Sequence, residues 1–204
     1  MTALHIMGDA VVDAVFPVSG QTLPRDHAQA LQQVLCSRWP WLGTDALAGI
    51  HPIKVVHGSD EQALLSGRAR LLLRIEARRM DELARQPEAD LTVAGHLLRL
   101  GPPRLRELQP HGTLYAYKVA ADNEDEVAFM AAIERELAAP EIGGQRVCGK
   151  RQGMVVSGRV LDTFSLMLHA LPAEQSLRLQ QRGLGKHRLL GCGVFVPHRS
   201  AAAV

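Results

Sequence analysis

Cysteine is scarce in this chain, and the three present, Cys36, Cys148 and Cys192, stand far apart with no CxxC among them. No histidine pair at helical metal-binding spacing accompanies them. Neither a disulfide framework nor a zinc site is therefore readable, and small apolar core positions are the expected use of all three. Long apolar runs are missing as well: a stretch such as Leu71-Leu72-Leu73 falls far short of the about 20 residues a helix needs to span a bilayer. The opening MTALHIMGDAVVDAV has no cationic segment ahead of an apolar block. It carries no recognisable secretion signal, and a cytoplasmic protein without membrane contact is expected. Aromatic residues make up only 4%, with two tyrosines and four phenylalanines. So few rings argue against a broad platform for stacking bases; if the ligand is a nucleic acid, recognition by shape and backbone is expected instead.

What is present begins with size: 204 residues, 47% of them hydrophobic, suffice for one large domain or two small ones with real cores. The net charge of +2 hides an uneven distribution. From residue 142 onward nine basic side chains face two acidic ones, Asp162 and Glu174, whereas residues 1–141 carry 14 basic and 19 acidic residues. A basic C-terminal third points to a polyanionic partner, of which nucleic acid is the commonest; a merely solvated surface is the bland reading of the same charges.

Local patterning gives an α+β chain. Residues 9–19, with Val11, Val12, Val15 and Val18, read as a strand ended by Gly20. A helix follows, with Pro24 in its first turn, Asp26 on its dipole, and Ala30, Leu31, Val34 and Leu35 at helical spacing until Trp39-Pro40. Residues 50–56 and 68–77 read as two strands joined by a polar turn over 57–61. Residues 80–85 form a short helix ending near Pro87, and 91–100 a strand pair turning at Gly95-His96. After a proline-rich connector the order repeats: strand 113–121, helix 124–138, a bent strand or hairpin over 146–150 and 154–160, strand 163–170, helix 173–182 after Pro172, and strand 192–196. Two βαββαβ units in tandem are the economical description. The expected division is an N-terminal ferredoxin-like domain over 1–100, a linker over 101–112 and a C-terminal ferredoxin-like domain over 113–204, whose last residues, 201–204, form a tail.

The densest motif lies in the second unit. Residues 181–196 read QRGLGKHRLLGCGVFV, with Gly183, Gly185, Gly191 and Gly193 around the cluster Lys186-His187-Arg188. Glycine admits positive φ and lacks the Cβ that holds a ligand away, so backbone N–H groups could approach phosphate oxygens while the cations neutralise charge. The loop is no nucleotide-hydrolase P-loop, because Gln180 replaces the first glycine and His187 the magnesium-binding Ser or Thr. It is no dinucleotide loop either, because Arg188 takes the last glycine position. A tight turn whose glycines only serve the bend is the competing reading.

The segment GLGKHRLLGCGVF resembles the C-terminal glycine-rich motif of the RAMP superfamily, whose CRISPR repeat-processing endoribonucleases have tandem ferredoxin-like domains. LPRDHAQAL (23–31) is similar to that family's entry into its first helix, where a histidine lies near the N-terminus. GIHPI (49–53), LRLGPPR (98–104) and SLRLQQRGLG (176–185) are further parallels, so the resemblance runs along nearly the whole chain. It implies metal-independent cleavage of CRISPR repeat RNA, needing no cofactor: the 2′-hydroxyl attacks the adjacent phosphate, leaving a 2′,3′-cyclic phosphate, a 5′-hydroxyl end and a mature guide RNA. Such a reaction needs a base, an acid, and cations for the developing charge.

His27 is the first candidate for base or acid, since a helix N-terminus favours the neutral, proton-accepting ring. Four residues before Leu31 and seven before Val34, it could equally edge the helix's apolar stripe. His51 and Lys54 are secondary candidates; three apart on one strand, they would face opposite sides unless Pro52 kinks it. The family often has an aromatic residue shortly after the helix histidine, where this chain has Ala28 and Gln29. Lys54 or a loop cation is left to supply positive charge. Gly183, Gly185, Lys186, His187, Arg188, Gly191 and Gly193 are expected on the RNA backbone, and Arg146, Lys150, Arg151 and Arg159 on stem phosphates. The expected partners are a stem-loop repeat RNA, its guide product and other CRISPR effector subunits. Two alternatives stand beside this reading: a RAMP subunit that holds guide RNA without cutting, and a ferredoxin-like module for small molecules or proteins.

Overall fold

The computed structural model describes residues 10–56, 58, 62–85 and 88–199. The turn expected over 57–61 thus lies outside the described residues except for Gly58, as do Pro87 and the tail 201–204. The chain divides into two units, one ending at Glu107 and one beginning at Leu108.

The first unit is organised by β1 (Val11–Gly20), whose valines suit a pleated, half-buried surface. Next come β2 (Thr22–Pro24), α1 (Ala28–Arg38), β3 (Gly49–His51), β4 (Gln62–Leu64), β5 (Arg70–Glu76), α2 (Met80–Ala84), β6 (Ala89–Val93), β7 (His96–Leu100) and β8 (Arg104–Glu107). The main sheet runs β3-β5-β1-β7-β6, with β8 also on β1, and every pairing is antiparallel. β7 and β8 share the fourth ferredoxin position. Leu98–Leu100 pair with Val18–Gly20, and Arg104–Glu107 with Val12–Val15. Between them Gly101 N–H still donates to Pro17 O (2.9 Å), but Pro102 and Pro103 have no N–H to give, and the register slips there by one residue. The expected linker over 101–112 is therefore in part a strand: the Pro-Pro pair interrupts a ladder without ending the unit.

Two further expectations shift for local reasons. Pro24 lies in β2, paired to β4, and α1 begins only after His27, with no acidic residue in its first turn. The strand expected over 50–56 stops at His51, because Pro52 cannot donate to the ladder; the chain rejoins a sheet only through a bridge between Val56 and Leu64. α1 buries Leu31 and Leu35, and it ends before Pro40, as a pre-proline residue disfavours helix. Trp39, 2% exposed, sets its ring 5.7 Å from Phe16 on the helix-facing side of β1. The β6–β7 hairpin turns through Ala94 and Gly95, both at positive φ (47° and 83°), as a two-residue primed turn requires.

The second unit is a ferredoxin-like fold in order and pairing: β9 (Thr113–Ala120), α3 (Glu126–Ala138), β10 (Gln145–Val156), β11 (Arg159–His169), α4 (Ala173–Arg182) and β12 (Val196–Pro197). Its antiparallel sheet runs β10-β11-β9-β12. Leu114, Ala116 and Val119 of β9 and Phe164, Leu166 and Leu168 of β11 pack against Phe129, Ile133 and Leu137 of α3 and Leu179 of α4. Asp125 caps α3 by accepting from Val127 N–H (2.9 Å). β10 and β11 form one long hairpin turning at Ser157-Gly158, so residues 159–160 open β11 instead of closing β10. The last strand is two residues long; residues 192–195 belong to the buried end of the preceding loop. Among the three free cysteines only Cys192 is fully buried. No helix among the described residues is long and apolar enough to cross a membrane.

Candidate functional site

In the first unit His27 is the N-cap residue of α1. Its Nδ1 lies 2.9 Å from Pro24 O. A carbonyl only accepts, so Nδ1 carries the proton and, in the neutral ring, the lone pair sits on Nε2. The ring is 5% exposed.

His51 belongs to a buried ionic row that crosses the sheet. Asp13, Arg74 and Arg106 are direct register partners on β1, β5 and β8, and His51 stands two residues from Gly49, which faces Arg74. These positions alternate with Phe16, so the row lies on the face away from Trp39. Arg74 Nε donates to Asp13 Oδ1 at 3.0 Å, Arg106 Nη2 donates to Asp13 Oδ2 at 2.7 Å, and His51 Nε2 reaches Asp13 Oδ1 at a long 3.5 Å. Burial alone would raise the Asp13 pKa, but the His51 and Arg74 hydrogen bonds and charges outweigh it and hold the carboxyl well below the usual range. Burial lowers the His51 pKa; Asp13 opposes this, and Arg74 and Arg106 add to it. These opposing influences leave the His51 pKa lowered, with its Nε2 at ion-pair distance from Asp13. Lys54 is exposed beyond the end of β3, not on the strand where it was expected. Asp13 and Arg74 were not singled out from sequence, although a charge inside each apolar run, VVDAVF and LLLRIE, is the signal that marks them.

In the second unit the glycine-rich segment leaves α4 at Gly183 and folds back on itself. Leu184 N–H donates to Gly193 O (3.1 Å), Gly193 N–H to Lys118 O of β9 (2.7 Å), and Cys192 N–H to His187 O (3.2 Å). A Cβ on Gly193 would overlap Leu184 O, and one on Gly183 would overlap Gly193 O. Both also have positive φ, 63° and 65°. Gly183 and Gly193 therefore serve the crossing of the chain, and their own amides are satisfied internally, by Leu179 O and Lys118 O. Gly185 differs: exposed, at φ 69°, it donates its N–H to a carboxylate oxygen, Glu136 Oε1, at 2.6 Å.

The cations divide in the same way. Lys186 and His187 are exposed, whereas Arg188 is 8% exposed and donates through Nη2 to Gln181 O (3.0 Å) at the C-terminal end of α4. Arg188 thus closes the loop against a helix end where a positive charge is favourable. On the hairpin Arg151 is held by Asp162 (2.8 Å) and Glu124 (2.9 Å), and Arg146 lies 3.9 Å from Glu134. Lys150, Arg159 and Lys186 are exposed and have no ion-pair partner among the described residues.

Two ferredoxin-like units in tandem, the second carrying a glycine-rich loop that presents cations, define a RAMP-type protein. The family model described as Cas6 Crispr matches residues 12–200, and the chain belongs to the Cas6 family. Over 194 residues it is 37% identical to the CRISPR-associated endonuclease Cas6 of Myxococcus xanthus (strain DK1622), covering 95% of this chain and 84% of that protein. Among solved structures, the product of a Cas6-related gene from Pyrococcus furiosus superposes with a TM-score of 0.64 at 11% identity, over 92% of this chain and 98% of that one. Thermus thermophilus Cse3, bound to an RNA representing a pre-cleavage complex, superposes with a TM-score of 0.52 at 13% identity, over 92% and 98%. At those identities the likeness speaks for the fold.

Proposed function

We propose that this protein processes CRISPR repeat RNA as a metal-independent endoribonuclease. Membership of the Cas6 family along residues 12–200 is the observation that carries the reading. Its relatives' names and the exposed cations of the second unit support RNA as the substrate. In the proposed reaction the substrate's own 2′-hydroxyl attacks the adjacent phosphorus; the bond to the 5′-oxygen breaks and that oxygen takes a proton from water, leaving a 2′,3′-cyclic phosphate and a 5′-hydroxyl end. His27 takes the 2′-hydroxyl proton on Nε2, the nitrogen that the Pro24 contact leaves with a lone pair. Lys54, exposed in the same unit, meets the charge developing on the phosphate. Lys150, Arg159, Lys186 and His187 hold the RNA backbone, with Gly185 N–H a further donor once Glu136 releases it.

A second reading, a subunit that holds guide RNA without turnover, is favoured by one specific feature: both candidate histidines are buried, His27 5% and His51 7% exposed. One experiment separates the two. A short hairpin repeat RNA is incubated in excess EDTA with wild type and with His27→Ala, and a 2′-deoxy substitution at the cut site serves as control. Cleavage by the wild type that disappears in both controls is the expected outcome. Binding without cutting by every protein would establish the holding subunit instead, and normal cleavage by His27→Ala would move the chemistry to another residue.

A further inference from the structure

Both tyrosines of the chain stand on β9, two residues apart and on the same face, opposite the side where Leu114, Ala116 and Val119 enter the core. Their rings meet edge to face at 4.9 Å and 87°, and Tyr115 has the His198 ring 5.4 Å away on another side. Tyr117 is 48% exposed. The register explains why it points outward. Val119 pairs with Phe164 and Ala116 with Leu166, so β9 carries one residue more than β11 between those pairs, and Tyr117-Lys118 form a β-bulge. Bulges re-aim side chains and recur next to functional sites. This one is fastened on both sides, since Lys118 O accepts from Gly193 N–H (2.7 Å) and Tyr117 O from Gln152 Nε2 (3.5 Å). The exposed ring is thereby tied to the base of the loop that presents Gly185, Lys186 and His187.

We infer that Tyr117 is a stacking seat for one unpaired base of the RNA, held edge-on by Tyr115 and placed where the RNA backbone passes the glycine-loop cations. The inference rests on the RNA-binding reading above. An exposed ring with a fixed edge offers a π-face at little ordering cost, and an unpaired base has the matching face whatever its identity. With only two tyrosines the seat takes one base; it is not the broad platform that the composition argues against. It therefore adds a contact to single-stranded RNA beside the shape-read stem.

The test compares wild type, Tyr117→Phe and Tyr117→Ala in binding three RNAs: a hairpin repeat with its unpaired flanks, the same stem-loop trimmed blunt, and the flanked RNA carrying abasic residues at successive flank positions. Tyr117→Ala is expected to weaken binding of the flanked RNA by about tenfold, the scale of one stacked base, and to leave the trimmed stem-loop unaffected. Tyr117→Phe retains wild-type affinity, and one abasic position removes the difference between wild type and Tyr117→Ala. Equal binding of the flanked RNA by wild type and Tyr117→Ala would overturn the seat while leaving RNA binding standing. Equal losses by Tyr117→Ala on flanked and trimmed RNA would overturn it as well, and failure of the wild type to bind any of the three would remove the RNA reading and the seat together.

Discussion

Asp13 joins three other ionisable side chains, and its removal reaches furthest. Asp13→Asn removes the carboxylate that accepts from the buried Arg74 guanidinium, which is 1% exposed. A loss of about 3–5 kcal/mol is expected, read as a lowered denaturant midpoint. Arg106→Ala removes a guanidinium that is half exposed, and about 1 kcal/mol or less is expected there. Acidity acts on the same row in two steps. His51 has a folded-state pKa below its unfolded value, so between that value and about 6.5 the unfolded chain binds the extra proton. Stability therefore falls as pH drops below about 6.5. Asp13, also depressed in the folded state, stabilises above its unfolded pKa of about 3.9 and loses that contribution as pH falls further. A melting series against pH should show the first step vanish in His51→Asn while the second remains; an unchanged profile would refute the assignment. The sequence marks His51 and lets Asp13 and Arg74 pass, because their pairing depends on the register of β1 on β5, which places residues 61 apart opposite one another.

The glycine-rich loop was legible as a loop from its composition, but the work its glycines do was not. Four glycines and three cationic or titratable side chains suggest amides open to phosphate; the hydrogen bonds that close Leu184 on Gly193 and Gly193 on Lys118 exist only once the chain has crossed itself. The two kinds of glycine separate experimentally. Gly193→Ala sets a Cβ onto Leu184 O at a positive φ, and a loss upwards of about 3 kcal/mol is expected from strain and displacement combined. Gly185→Ala meets only ordinary van der Waals contact, so about 1 kcal/mol for the backbone conformation is its expected effect, with the fold kept. Thermal melts of the two variants check the contrast, and similar losses would contradict it. The long hairpin gives the same lesson. Its turn, Ser157-Gly158, lies inside a run that reads as strand, and only the positive φ of both residues reveals the reversal. Where periodicity is strong and local, as in α4 over Ala173–Arg182, sequence and structure coincide.

On the scale of the whole chain, the basic C-terminal third is partly folded away. From Leu108 onward there are eleven basic and nine acidic residues, because the stretch around α3 contributes seven of the acids. Folding brings three of these acids to partners further along the chain: Glu124 to Arg151, Glu134 to Arg146, and Glu136 to Gly185 N–H. Net charge along the sequence therefore overstates the field that a polyanion meets, and the cations left for it are those without a carboxylate. If the unit binds RNA as proposed, Lys150→Ala, Arg159→Ala and Lys186→Ala should each flatten the dependence of log affinity on log salt by about 0.7–0.9, the release of one counter-ion. Arg151→Ala should leave that slope alone, since Asp162 and Glu124 already neutralise its guanidinium. Fluorescence-anisotropy titrations of a hairpin RNA over a salt series measure all four. A slope lowered by Arg151→Ala as much as by Lys186→Ala would mean that RNA displaces those carboxylates, and the division between paired and available cations would fail.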